Sequence, residues 1–146
     1  RLDREASGLM LIAHNEKAAA ALSGLFHNHT IQKFYRITVQ GKLAVATLPF
    51  CIDAELDGKH AVTWINSANF DANSNTSALD LRIDTGRKHQ IRRHLAGIGH
   101  PVVGDPRYGT HQAGEAKGTL ALQAYRITYH CPVFNRPRQY SLDSEG

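Results

Sequence analysis

The sequence predicts an α+β domain, and three observations carry the prediction. Apolar residues recur at helical period in residues 15–29 and 89–96. Strand-like runs occupy residues 33–41, 78–84 and 120–129. Between two further strand-like runs stands Asp57-Gly58, a pair that strongly favours a tight hairpin. The length, 146 residues, suits one domain with a real core, so 1–146 is read as a single unit.

Taken in order, residues 1–5 are mostly charged, Ser7-Gly8 signals a loop, and 9–13 reads as a short buried strand. Asn15 suits an N-cap and Glu16 a first helical turn, with Ala18, Leu22, Leu25 and Phe26 at helical period behind them. His27 and His29 fall where a charged histidine favours a helix end. In 33–41, Tyr35, Ile37 and Val39 share one face and Phe34, Arg36, Thr38 and Gln40 the other. Residues 48–56 and 60–66 read as the hairpin strands, 67–77 as a flexible surface loop rich in turn formers, and 78–84 as a strand. Residues 110–119 read as loop, 120–129 as a long strand ended at Cys131-Pro132, and the polar tail after Arg138 as frayed.

The stretch 84–109 organises the rest. Ile91, Leu95 and Ile98 form one apolar helical stripe, which Gly97, Gly99 and His100-Pro101 bring to a stop. Arg92 lies at the edge of that stripe. It can point inward only if an anion meets it, because an unpaired buried charge is expensive. Gly104-Asp105-Pro106 reads as a tight turn, with Asp105 as a turn aspartate rather than a second catalytic carboxylate.

Composition bounds the function. With 42% hydrophobic and 21% charged residues, the chain is an ordinary globular one. No apolar run has membrane-spanning length, the start does not read as a signal peptide, and no membrane partner is expected. Two cysteines without metal-like spacing suit a reducing, cytoplasmic setting. His89 and His94 are a poor chelating pair, so no metal is expected; no phosphate-binding glycine motif supports nucleotide use. The net charge of +4 permits nucleic-acid binding without demanding it.

What remains is a carboxylate at Asp3, an arginine in want of an anion at Arg92, an inward tyrosine at Tyr35, and basic surroundings. On residue type alone Asp3 reads as a solvated carboxylate or as a nucleophile, and Tyr35 as a core tyrosine or as an aromatic floor under a base. A nucleophilic carboxylate has to be ionised, which a guanidinium within ~4–6 Å favours. Asp3 and Arg92 are therefore expected to form a buried ion pair. A glycosidase acting through carboxylates would need a second acid, for which only Asp105 or Asp84 is at hand.

Two long motifs, far apart and in order, resemble signatures of the RluA-type pseudouridine synthases. Arg1-Leu2-Asp3 followed by Ser7-Gly8-Leu9 matches R-L-D-x-x-x-S-G-L, and T-G-R-K-H-Q-I-R-R-H-L-A-G-I-G-H-P-V-V-G-D-P-R-Y-G, from Thr85, matches the late signature. Lys33-x-Tyr35 with Val39-x-Gly41, and the G-K-x-A-x-T run from Gly58, are similar to intermediate ones. Lys88 stands where G-R-T-H-Q has threonine, and Gln123 where L-x-L-H-A has histidine.

The resemblance implies a mixed, mostly antiparallel central sheet with flanking helices, and isomerisation of uridine in tRNA or rRNA to pseudouridine without cofactor or metal. It implies that Asp3 is the essential carboxylate, that Tyr35 packs against the base and helps remove the C5 proton, and that Arg92 pairs with Asp3. Arg1 is implied to fill the space left by an extruded nucleotide. Base flipping also needs cations on the phosphates, for which Arg87, Lys88, Arg93 and Arg107 are the candidates. Family domains begin well before R-L-D, so the domain is expected to be incomplete on its N-terminal side. A monomer is expected, and a catalytically inactive RNA-binding form of the same fold is the alternative.

Overall fold

The computed structural model describes residues 1–109 and 118–142. Within them the chain runs β1 (Ser7–Gly8), α1 (Glu16–His27), β2 (Gln32–Gln40), β3 (Phe50–Asp53), β4 (Val62–Asp71), β5 (Thr76–Ile83), α2 (Gln90–Gly97), β6 (Leu122–Cys131) and β7 (Arg136–Ser141). The strands form one seven-stranded sheet in the order β1-β6-β2-β5-β4-β3. β7 also pairs with β6, beyond the short stretch that β1 occupies. Only the β1–β6 pairing is parallel, so the sheet is mixed and mostly antiparallel, as expected.

Alternation in β2 sets the core. Tyr35, Ile37 and Val39 are buried, beside Leu79, Leu81 and Ile83 of β5, Ile65 of β4, and Leu122 and Ala124 of β6. From α2 the stripe residues Ile91 and Leu95 close over this face, while Ile98, the third of the set, is 36% exposed beyond the helix end. α1 starts at Asn15, whose Oδ1 accepts the Ala18 N–H at 2.8 Å, but it buries no residue. The Asp57-Gly58 hairpin forms as predicted. Both residues have positive φ, 54° and 72°, and Leu56 and Lys59 exchange backbone hydrogen bonds at 2.9 and 3.0 Å.

Three expectations are corrected. Residues 67–77 are not a loop: β4 runs to Asp71 and β5 starts at Thr76. The turn between them is tied by Asp71, which accepts the Asn73 N–H and the Ser74 hydroxyl, with Asn75 at φ 52°. Much of this hairpin end is exposed, so its strands carry no apolar alternation for a sequence reading to detect. Residues 9–13 form no buried strand: pairing ends at Gly8, and Met10 and Ile12 are 53% and 69% exposed. The described part of the tail after Arg138 is not frayed, because β7 pairs with β6 as far as Ser141; residues 143–146 lie outside the described residues. The loop expected at 110–119 lies almost wholly outside the described residues.

Candidate active site

Arg92 is 2% exposed, the largest fully buried side chain of the described residues, and the anion it requires is Asp105. Its Nε and Nη2 donate to the two carboxylate oxygens of Asp105, each at 2.8 Å, in the paired geometry that gives arginine–carboxylate contacts their strength. Asp105 is itself fully buried and also accepts the backbone N–H groups of Arg107 and Tyr108. Burial alone would push its carboxyl pKa up; the guanidinium and the two N–H groups outweigh burial and hold it below the usual carboxylate value. Asp105 is a turn aspartate, as expected, and in addition the buried partner of Arg92, which was not expected. The turn is real, with Gly104 at φ 77° where a Cβ would sit 2.3 Å from the Thr119 carbonyl oxygen. Its backbone is fixed to β2 by the Val39–Val102 bridge and the Val103 N–H to the Thr38 carbonyl. That anchoring carries the Asp105 carboxylate beneath α2.

The remaining nitrogen of Arg92, Nη1, reaches Asp3 Oδ2 at 3.4 Å and Glu5 Oε2 at 3.6 Å. These contacts are longer than the bonds to Asp105, so Asp105 is the principal partner and Asp3 the second. Asp3, 23% exposed, lines an open cleft of 680 Å³ whose walls include Arg1, Tyr35, Arg87 and His89. Arg92 stands behind this wall. The Tyr35 hydroxyl pKa is pushed up to about 12, chiefly by burial and further by the negative charge of Asp3. Tyr35 is therefore a neutral phenol at physiological pH. A carboxylate fixed by a buried cation beside an aromatic face can bind a planar ring and present negative charge to it.

α2 is held in place by polar side chains on its buried face. Gln90 Nε2 donates to the Val62 carbonyl at 2.9 Å and to Thr63 Oγ1, while its Oε1 accepts from the Thr85 hydroxyl and the Arg87 N–H. His94 Nε2 lies 2.9 Å from the Ala54 carbonyl, which can only accept, so the proton is on Nε2 and the Thr63 hydroxyl is free to donate to Nδ1. His89, at α2's N-cap with φ 53°, meets the Tyr108 hydroxyl at 2.9 Å. Burial, then Arg92, Lys88 and Arg107, lower its pKa against an opposing pull from Asp3. The Tyr108 ring in turn lies 5.3 Å from the Arg92 guanidinium.

The structure brings Asp3, Tyr35, Arg1 and Arg87 to one cleft and sets Arg92 behind Asp3. Lys88, Arg93 and Arg107 do not line it. Lys88 and Arg107 are exposed, and Arg93 forms a two-point ion pair with Asp57. Arg87 donates from Nε to the His60 carbonyl. Sequence reasoning took Asp105 as a turn residue and not as the partner of Arg92, quoted Lys33 in the K-x-Y motif without a role, and singled out neither Gln90 nor Tyr108. Lys33 was within reach of it: it sits two residues before Tyr35, on the same strand face. Among the described residues no group of three His, Cys, Asp or Glu is placed to hold a metal ion, and no helix is long and apolar enough to cross a membrane.

Comparison with known proteins places this arrangement. The RNA pseudouridylate synthase family profile matches residues 1–97. The ribosomal large subunit pseudouridine synthase D of Zymomonas mobilis is 34% identical over 122 residues, which cover 75% of this chain and 38% of that protein. The tRNA pseudouridine synthase C of Pectobacterium carotovorum is 33% identical over 94% of this chain and 44% of its own length. The dual-specificity RNA pseudouridine synthase RluA of Vibrio parahaemolyticus is 32% identical over 90% and 59%. The chain thus spans about half the length of the curated relatives it matches. Among solved structures, human RNA pseudouridylate synthase domain containing 4 superposes with a TM-score of 0.75 at 21% identity, over 98% of this chain and 69% of that one; likeness at that identity speaks for the fold. With the R-L-D motif inside the matched segment and the sheet shared with those structures, this chain belongs to the RNA pseudouridylate synthase family, as an RluA-type catalytic domain.

Proposed function

We propose that the chain isomerises uridine in structured RNA, tRNA or rRNA, to pseudouridine at the cleft containing Asp3 and Tyr35. The observation that carries the reading is Asp3 itself: a carboxylate on the cleft wall, held from behind by a buried guanidinium and beside a buried tyrosine. The N1–C1′ bond breaks, a C5–C1′ bond forms, C5 gives up its proton and N1 gains one, so the reaction is balanced without a co-reactant. Asp3 supplies the negative charge that attack on sugar or base, or assisted elimination, requires. Tyr35 packs under the base. The reacting atoms of a stacked nucleotide are out of reach, so the base is flipped into the cleft, with cations nearby holding the backbone. The relatives' names span ribosomal and transfer RNA, which supports structured RNA as the substrate class.

The test is release of tritium from RNA labelled at uridine C5, comparing the chain with Asp3→Asn. The chain is expected to release tritium. The variant keeps its shape and loses at least about a hundredfold in rate, the lower end for loss of a group acting directly on proton or bond. Release by both alike, or by neither, overturns the reading; release by neither with RNA binding intact would identify the inactive RNA-binding form instead.

A further inference from the structure

We propose that Lys33 is the phosphate seat of the cleft: its ammonium takes the phosphodiester of the nucleotide whose base lies on Tyr35. The assignment rests on the reading of the cleft as a uridine-RNA site and specifies how that site holds its substrate.

The geometry begins with β2. Side chains two apart on a strand share a face about 6.8 Å apart, so Lys33 and Tyr35 project together, and both line the cleft. The ammonium sits 5.6 Å from the centre of the Phe26 ring, and a Cβ on Gly86 would fall 3.0 Å from Nζ. A methyl group at position 86 would ask the flexible ammonium to give by only a few tenths of an ångström.

Its charge has no counterpart. Burial lowers the pKa of Lys33, and among the described residues no carboxylate forms an ion pair with it. Arg92 shows the contrast, since its buried charge is matched by Asp105 and Asp3. A half-buried cation left without an anion is costly, and a ligand that carries one relieves the cost. Uracil is neutral, so its carbonyl groups do not supply that charge. The phosphodiester is the anionic part of RNA and the part that positions it. The other cleft cations are placed differently, Arg1 exposed and Arg87 tied to the His60 carbonyl.

The experiment measures binding of a fluorescein-labelled uridine stem-loop RNA by anisotropy over a series of KCl concentrations, for the chain, Lys33→Gln and Lys33→Arg. Lys33→Gln is expected to weaken binding about tenfold, the value of one charge-assisted hydrogen bond. It should also reduce the slope of log affinity against log salt by roughly 0.7 to 1, one phosphate contact. Lys33→Arg keeps the slope. A Lys33→Gln protein with the parent affinity and slope overturns the assignment. Outcomes separate it from the reading on which it rests. A chain that releases tritium with Lys33→Gln indifferent loses only the phosphate seat; a chain that binds no RNA loses both.

Discussion

At the scale of single residues the site is a problem of charge. One buried guanidinium serves Asp105, Asp3 and Glu5 at increasing distance and exposure, and this ranking divides their roles. Asp105 neutralises Arg92 inside the protein, and Asp3, on the cleft wall, takes the remaining nitrogen. A sequence reading finds Arg92 because an arginine beside an apolar stripe demands an anion. It assigns that anion to Asp3 alone because an aspartate before proline is well accounted for by a turn, and nothing local in Gly104-Asp105-Pro106 reports that the aspartate is buried. The pairing gives a sharp expectation. Asp105→Asn keeps the shape but strands a buried charge, at a cost of about 3–5 kcal/mol at pH 7, read from urea unfolding. The folded-state pKa of Asp105 lies below its unfolded value of about 3.9. Its contribution is therefore complete above that value and is lost as pH falls through the folded one. The gap between parent and variant should close on acidification below about pH 4. Equal stabilities at pH 7 would show that Arg92 is compensated without Asp105.

At the scale of elements, what was legible is what buries an alternating or helical face. β2, the Asp57-Gly58 hairpin and α2 declared themselves because Tyr35, Ile37 and Val39, or Ile91 and Leu95, are core residues with a period. The β4–β5 hairpin end, β1 and β7 did not. They are held by backbone pairing to a neighbour rather than by an apolar face, and a partner strand is not visible in a strand's own sequence. The seating of α2 was equally hidden, since Gln90 looks like a surface glutamine and is 3% exposed. Gln90→Ala leaves the Val62 carbonyl, the Thr85 hydroxyl and the Arg87 N–H to find new partners. The expected loss is about 1–3 kcal/mol for each buried group left unpaired, measured by urea unfolding. Lys88→Ala, two residues earlier and exposed, should stay within about 0.5 kcal/mol of the parent. If both variants unfold alike, α2 is fixed by Ile91 and Leu95 alone.

At the scale of the whole molecule the site is assembled from segments far apart in the sequence. Asp3 reaches Arg92 across 89 positions of sequence, and the piece that delivers it is β1, whose Ser7 and Gly8 pair in parallel with Gln123 and Ala124 of β6. The pairing is short but specific. Gly8 has φ 120°, which side chains rarely tolerate, and a Cβ there would lie 2.2 Å from the Ala124 carbonyl oxygen, the same oxygen that accepts the Leu9 N–H at 2.8 Å. Ala6 N–H in turn bonds the Asp3 carbonyl, so the segment from Asp3 to Leu9 is a single strap fastened at Gly8. Gly8→Ala should release that strap and leave the sheet standing, because β1 contributes no residue to the hydrophobic core. Tritium release should then fall by about a hundredfold, the loss that follows from a misplacement of about 1 Å at a reacting group. The thermal midpoint should move by only a few degrees, as expected for a change of about 1 kcal/mol. Faster amide exchange confined to Leu9 and Ala6 would locate the release. A Gly8→Ala protein with parental turnover would mean that Arg92 holds Asp3 without help from β6.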